Sequence, residues 1–423
     1  MQESPPGRRA GKARALGLGL ITGAADDDCS AIGTYASAGA KFGPAILWTA
    51  PVTFPMMFTV VYLSAKLSQV SGRGLFLTIR DYYPRKILYS TLIGVLIGNV
   101  IEAAADIGGM AAAMNLLMPI PIPAIVVGTT LTVLALQFWG SYRLISNIFR
   151  WLALVLLAYV GSAVLARPEI VPVLYGTLVP TIQLNSEFLS ILVAIIGTTL
   201  SAYLYSWKTN EEVEEEIAQG RTRLEQRKGT TRSELRLARN DILLGMLFSN
   251  IIMYFIMLST ASTLYKAGQT DISTAAQAAE ALRPLAGDAA GILFSLGIVG
   301  VGFLSVPVMT AGAAYDVAQV MGWKCSLHAR PSEAKEFYGT ILLFTAMAMA
   351  LNFLGFNPMK ALVWSGIVQG FSTPPLLLLI MLMTTSRRIM GARVNSLWMN
   401  ILGWTTTAVI FAASIGLVLT WLI

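Results

Sequence analysis

Three consecutive carboxylates, Asp26, Asp27 and Asp28, sit within residues 17–39, a stretch otherwise apolar enough to cross a membrane. One acid at the bilayer centre opposes insertion by about 2.5–3.5 kcal/mol on insertion scales, so three together need water, protons or a cation. Gly17, Gly19, Gly23, Gly33, Gly39 and, just beyond, Gly43 disfavour a continuous helix here. A helix broken near mid-membrane exposes carbonyls and helix ends, and it is tolerated only where it is buried or lines a cavity. Carboxylates beside such a break are a candidate cation site.

A second set of oxygen donors lies in residues 191–208, ILVAIIGTTLSAYLYSWK, whose centre is Gly197-Thr198-Thr199-Leu200-Ser201-Ala202 followed by Tyr203. Glycine, threonine and serine are poorer helix formers than leucine or alanine, and a transporter built from inverted repeats needs a second interrupted span in this place. Small residues also mark tight helix packing, so the spacing alone leaves both readings open. Glu102 and Asp106 are four residues apart and share a helical face. Such neighbours repel unless a proton or a cation intervenes, which makes them either a second cation or proton station or a pair lining the inner vestibule. Asn99 can donate to either. Gln369 lies in VWSGIVQGFSTPP, where Pro374 and Pro375 should bend the helix. Asn250 and Asp316 read as packing or vestibule residues, and Trp48 and Trp421 as members of interfacial belts.

The elements that position these groups are membrane helices. Of 423 residues 55% are hydrophobic and 13% charged, and the mean hydropathy is +0.65, more apolar surface than one soluble core can hide. At about 20 apolar residues per crossing, spans are predicted near 15–41, 45–67, 87–117, 121–140, 147–166, 187–207, 241–264, 290–319, 336–354, 358–383 and 396–422. The third and eighth are long and partly polar, which predicts tilt or interruption. No cleavable signal peptide is expected before them. With residues 1–14 as a cytoplasmic basic tail, only Lys41, Arg167, Lys266, Arg283 and Lys360 of the 30 lysines and arginines fall outside. That asymmetry fits the positive-inside rule and predicts a multi-pass cell (inner) membrane protein with an extracytoplasmic C-terminus. The net charge of +7 is then topology, not nucleic-acid binding. Residues 208–240 read as a cytoplasmic helical loop whose acids at 211–216 form a solvated face, and residues 266–289 as a short amphipathic outer helix. Cys29 and Cys325 give no disulfide framework or metal-ligand spacing, and the single His328 excludes histidine clusters.

These residues resemble the NRAMP divalent-metal transporters over nearly the whole chain. Gly17-Leu18-Gly19 and Asp28-Cys29-Ser30-Ala31 stand where that family has GPG and DPGN, and SAKLSQVSGRGL with DYYPRK resembles its AARLG-VTGRDL and YPR segments. Gly197-Thr198-Thr199-Leu200-Ser201-Ala202-Tyr203 stands at GA-T-V-MPH. The resemblance implies an all-α, LeuT-like fold of about eleven transmembrane helices. It has two inverted five-helix repeats (15–166 and 187–383), broken helices 1 and 6, and an eleventh span at 396–422. It also implies a secondary transporter without enzymatic activity or cofactor, whose partners are a divalent cation as substrate, the lipid bilayer and, as a candidate co-substrate, protons. Neither an obligate protein partner nor nucleic acid is implied.

The departures from the family pattern concern the site. Asp28 matches the ligand aspartate, but Ala31 replaces the asparagine, Ser201 the methionine and Tyr203 the histidine. The ninth span lacks its arginine, and Gly366 falls at the position of the family's site-lining glutamine, which puts Gln369 in question. The implied metal set is Asp28, Thr198, Ser201 and the Ala31 position, with Asp26, Asp27, Thr199, Tyr203, Glu102, Asp106 and Gln369 as secondary or vestibule residues. Without the thioether and amide the pocket is all oxygen, which suits a hydrated hard cation. This resembles the NRAMP-related magnesium transporters: Mg²⁺ is the expected ion, without obligatory proton coupling, against proton-coupled Mn²⁺ or Fe²⁺. An organic-solute transporter is disfavoured because three aspartates repel a substrate carboxylate, and an intramembrane aspartyl protease because its acids should come from facing helices.

Overall fold

The structure, a computed structural model, describes Gly23 and residues 26–139, 155–327 and 329–422. The basic tail, Gly17-Leu18-Gly19, His328 and part of the fifth span lie outside the described residues. In chain order the main helices are α1 (Cys29–Phe42), α2 (Thr49–Ser71), α3 (Leu75–Tyr82), α4 (Arg85–Leu117), α5 (Ile122–Trp139), α6 (Val155–Leu165) and α7 (Ile170–Leu178). They continue with α8 (Ser186–Thr199), α9 (Ala202–Ala218), α10 (Arg232–Thr260), α11 (Ala290–Met321), α12 (Lys335–Leu351), α13 (Pro358–Thr385) and α14 (Leu397–Leu422). Among the described residues nine helical stretches are long and apolar enough to cross a membrane. They coincide with predicted spans two to four and six to eleven; the first and fifth are described only in part.

Burial separates the centre from the lipid face. In the stretch Ser186–Ala218, 89% of the apolar window is buried, against 28% for Ile122–Trp139 and 33% for Leu397–Leu422. α1 is central, touching α8, α10, α13 and α4, while α4 makes its largest contacts with α11 and α13. α8 and α13 cross where glycines allow it: a Cβ on Gly197 would stand 1.9 Å from the Gly366 carbonyl oxygen and 2.4 Å from the Gly370 nitrogen. Lipid tails give helices no hydrophobic reason to associate, so close backbone packing of this kind carries much of the cohesion.

Three expectations need correction. α4 and α11 are not interrupted, and several of their polar residues find partners on neighbouring helices. Ser295 Oγ, for example, donates to the Ala113 carbonyl at 2.7 Å. Asn99 donates to neither Glu102 nor Asp106: both of its carboxamide atoms are buried without a hydrogen-bond partner among the described residues. Trp48 is only 8% exposed and packs in the core, whereas Trp421 is 48% exposed, as a belt residue should be.

Candidate functional site

The first break is at Asp28. It is extended (φ −70°, ψ −178°) and caps α1, its Oδ1 accepting from the Ala31 N–H at 2.7 Å and the Ser30 hydroxyl at 2.9 Å. Asp106 Oδ1, from α4, accepts from the Ser30 N–H at 3.0 Å, and Asp106 Oδ2 accepts from Ser305 of α11. Two carboxylates thus sit on the free N–H groups of one helix N-terminus, where the helix dipole favours negative charge. Ala31 contributes this N–H and a buried methyl group; it has no side-chain donor atom, so no ligand role for its side chain is retained.

The second break faces the first. α8 ends at Thr199, Leu200 (φ −122°, ψ 40°) leaves helical geometry, and Ser201 (φ −60°, ψ 135°) is extended before α9. Freed carbonyls find side-chain donors: Leu200 O accepts from Tyr205 at 2.6 Å and Thr373 at 2.9 Å. The Ser201 hydroxyl lies 2.9 Å from Gly197 O and 3.0 Å from Thr198 O. Thr199 Oγ1 pairs with Tyr35 at 2.9 Å, and Thr198 Oγ1 is buried without a hydrogen-bond partner among the described residues. Tyr203 spans the gap, its hydroxyl donating to Asp28 Oδ2 at 3.1 Å.

Glu102 joins the two breaks. Its Oε1 lies 3.1 Å from the Ser30 hydroxyl and 3.3 Å from that of Ser201, and its Oε2 accepts from the Gln369 carboxamide. Gln369, and not Gly366, therefore reaches the centre, while Gly366 serves the α8–α13 crossing. Asp28, Glu102 and Asp106 meet around Ser30, whose single hydroxyl hydrogen cannot serve Asp28 and Glu102 at once.

Asp26 and Asp27 lie apart from this group. Ser249 Oγ is 2.8 Å from Asp26 Oδ2 and 3.1 Å from Asp27 Oδ1, and the other oxygen of each is buried without a hydrogen-bond partner among the described residues. All five carboxylates are fully buried. None pairs with a lysine or arginine among the described residues. Nor, among the described residues, do three or more His, Cys, Asp or Glu side chains form a group able to hold a metal by themselves. What the centre offers is Asp28 at the break, with Glu102 and Asp106 beside it around Ser30, and hydroxyls and carbonyls.

Sequence reasoning missed Ser30, Ser249, Ser305, Thr373 and Tyr205. Ser30 had a local signal, two residues past an N-cap aspartate; the others are visible only once helices are packed.

A family model described as "Natural resistance-associated macrophage protein-like" matches residues 19–420. The chain is 28% identical over 404 residues to the divalent metal cation transporter MntH of Deinococcus radiodurans, covering 94% of this chain and 87% of that one. It is 26% identical over 383 residues to the protein of the same name from Klebsiella pneumoniae (strain 342), covering 89% and 87%. The Eremococcus coleocola manganese transporter superposes with a TM-score of 0.72 at 18% identity, covering 98% of this chain and 87% of that one. Mhp1, a nucleobase-cation-symport-1 family transporter, superposes with a TM-score of 0.60 at 11% identity, covering 96% and 93%. These structural likenesses establish the LeuT-like fold, and with the family match over nearly its whole length the chain belongs to the Nramp family.

Proposed function

We propose that this protein is a secondary transporter that moves a divalent metal cation across the cell (inner) membrane by alternating access, with its N-terminus in the cytoplasm. The observation that carries this is the meeting of two helix breaks at one buried carboxylate: Asp28 caps α1 and accepts from Tyr203 just beyond the second break. The ion would take Asp28 as its charged ligand, with Ser201, Thr198 and break carbonyls as neutral donors. Glu102 would balance charge from the side, held by Gln369. Thr199 and Tyr35 would pack the wall, and Asp26 and Asp27 would raise the local cation concentration.

The favoured ion is Mg²⁺, partly hydrated. Mg²⁺ keeps several waters and binds through one or two carboxylates. The family's thioether position holds Ser201, and the Cys29 thiol is turned toward the Ile298 carbonyl at 3.3 Å. Transport would need no obligatory proton: no described membrane-spanning helix contains histidine, and an inside-negative potential contributes about 2.3 kcal/mol per charge per 100 mV, doubled for a divalent ion. A second reading, proton-coupled Mn²⁺ transport, draws on two observations. The relatives carry manganese or divalent-cation names, and Glu102 and Asp106 form a buried pair through Ser30.

The experiment is ion flux into liposomes holding the purified protein, Mg²⁺ and Mn²⁺ separately, with a lumenal pH dye. Mg²⁺ uptake without a pH change supports the first reading. Lumenal acidification that tracks uptake and disappears in Glu102→Gln or Asp106→Asn supports the second.

A further inference from the structure

Asp316 on α11 is fully buried and lies outside the site just described. Its Oδ1 accepts from the Ser206 hydroxyl of α9, while its Oδ2 is buried without a hydrogen-bond partner among the described residues. Asn210 Nδ2 approaches Ser206 Oγ at 3.4 Å. The basic side chain of this part of α9, Lys208, is committed to Glu211 at 2.8 Å and Glu212 at 3.1 Å. A fully buried carboxylate with an oxygen that no described protein group bonds, and no lysine or arginine paired to it among the described residues, is stabilised by a proton or a cation.

The helix register ties this group to the central site. Tyr203, Ser206 and Asn210 stand at i, i+3 and i+7 on α9 and share one face. Tyr203 touches Asp28 and Ser206 touches Asp316; the two α9 residues are separated by about 4.5 Å of helix rise. On the proposed orientation this face leads from Asp28 toward the cytoplasm.

α3 closes the far end. Its Leu75 N–H donates to Thr209 Oγ1 at 3.1 Å and its Leu77 N–H to Gln319 Oε1 at 3.0 Å. Gln319 in turn donates to Asn210 Oδ1. The approach is close: a Cβ on Gly74 would stand 2.3 Å from Gln319 Nε2 and 2.5 Å from Asn210 Oδ1, so a larger residue there would displace these two side-chain ends.

We infer that Asp316, with the Ser206 hydroxyl oxygen, is a second divalent-cation station between the Asp28 site and the cytoplasm, sealed by α3; Asn210, its Oδ1 held by Gln319, packs beside it and is not a ligand. Its occupant is the transported ion, so the inference rests on the transport reading. The stoichiometry of binding separates the two.

Equilibrium dialysis of the full-length protein in detergent, against Mg²⁺ and against Mn²⁺, tests it. Asp316→Asn should lower the ions bound per chain at saturation by one, Asp28→Asn by one, and the double variant by two. Ser206→Ala should keep the count and weaken one Kd about tenfold, the effect of losing one hydrogen bond to a charged group; it also serves if Asp316→Asn does not fold. A monodisperse Asp316→Asn protein with an unchanged count, or no change in any Kd in Ser206→Ala, overturns the second station and leaves Asp28 standing. A count lowered only by Asp316→Asn overturns the Asp28 assignment and leaves the second station standing.

Discussion

The two helix breaks solve one problem with different chemistry. At the first, the exposed N–H groups of α1 are met by carboxylates, Asp28 from the break and Asp106 from α4. At the second, the exposed carbonyls of α8 are met by hydroxyls, from Ser201, Tyr205 and Thr373. Free N–H groups attract anions and free carbonyls attract donors, so each break recruits the partner its polarity demands. The outcome is a lopsided site in which charge comes from the first half of the chain and neutral oxygen from the second. Glu102 and Tyr203 bridge them, one reaching Ser30 and Ser201, the other Asp28.

If that division holds, the two breaks must respond differently to substitution. The largest loss after Asp28 itself should follow Glu102→Leu, which removes the acid touching both breaks and strands the Gln369 carboxamide. Uptake should fall about a hundredfold, the scale of losing one partner of a buried charged pair. Glu102→Leu uptake within a few-fold of wild type would mean that the breaks act independently. Tyr203→Phe deletes one hydrogen bond to Asp28 and should raise the half-saturating ion concentration about tenfold with little change in maximal rate. A change confined to the maximal rate would assign the tyrosine to gating.

Selectivity sharpens the comparison from the other side. Because the second break supplies only oxygen, Ser201→Met combined with Ala31→Asn should shift the Mn²⁺ to Mg²⁺ uptake ratio toward Mn²⁺ by about tenfold or more, thioethers favouring softer ions. An unmoved ratio in a folded double variant would show that Ser201 does not face the ion. The smallest effect belongs to Thr373→Val. Leu200 O keeps Tyr205 at 2.6 Å, so stability should drop by only about 0.5–1.5 kcal/mol, measured by thermal unfolding in detergent, with uptake within twofold.

Much of this arrangement was legible in the sequence because it is local. Glycines and aspartates marked the first break, and the Gly-Thr-Thr-Leu-Ser-Ala run contains the second, at Leu200 and Ser201. The four-residue spacing of Glu102 and Asp106 put both on one helical face, and the structure shows that face meeting Ser30 of α1. What could not be read depends on packing. Ser249 and Ser305 lie more than 200 and 190 positions from the acids they serve, and no periodicity encodes such pairs. Gln369 lies three residues, close to one helical turn, from Gly366, where the family's glutamine aligns, so both lie near one face of α13 and only its position against α4 decides between them. Polar residues in α4 and α11 suggested tilt or interruption, and interruption does not occur, because sequence shows the cost of a buried hydroxyl but not the neighbour that satisfies it. Trp48 was misplaced similarly: its location near a span end fitted a belt, but neighbouring elements cover it.

Asp28 is the charged group at which the two breaks meet. In liposomes with an inside-negative potential, wild-type protein should take up Mg²⁺ without a parallel change in lumenal pH, and Asp28→Ala, expressed and monodisperse, should show no uptake above protein-free vesicles. Wild-type rates in Asp28→Ala would contradict the central claim that the ion is held where the two breaks meet.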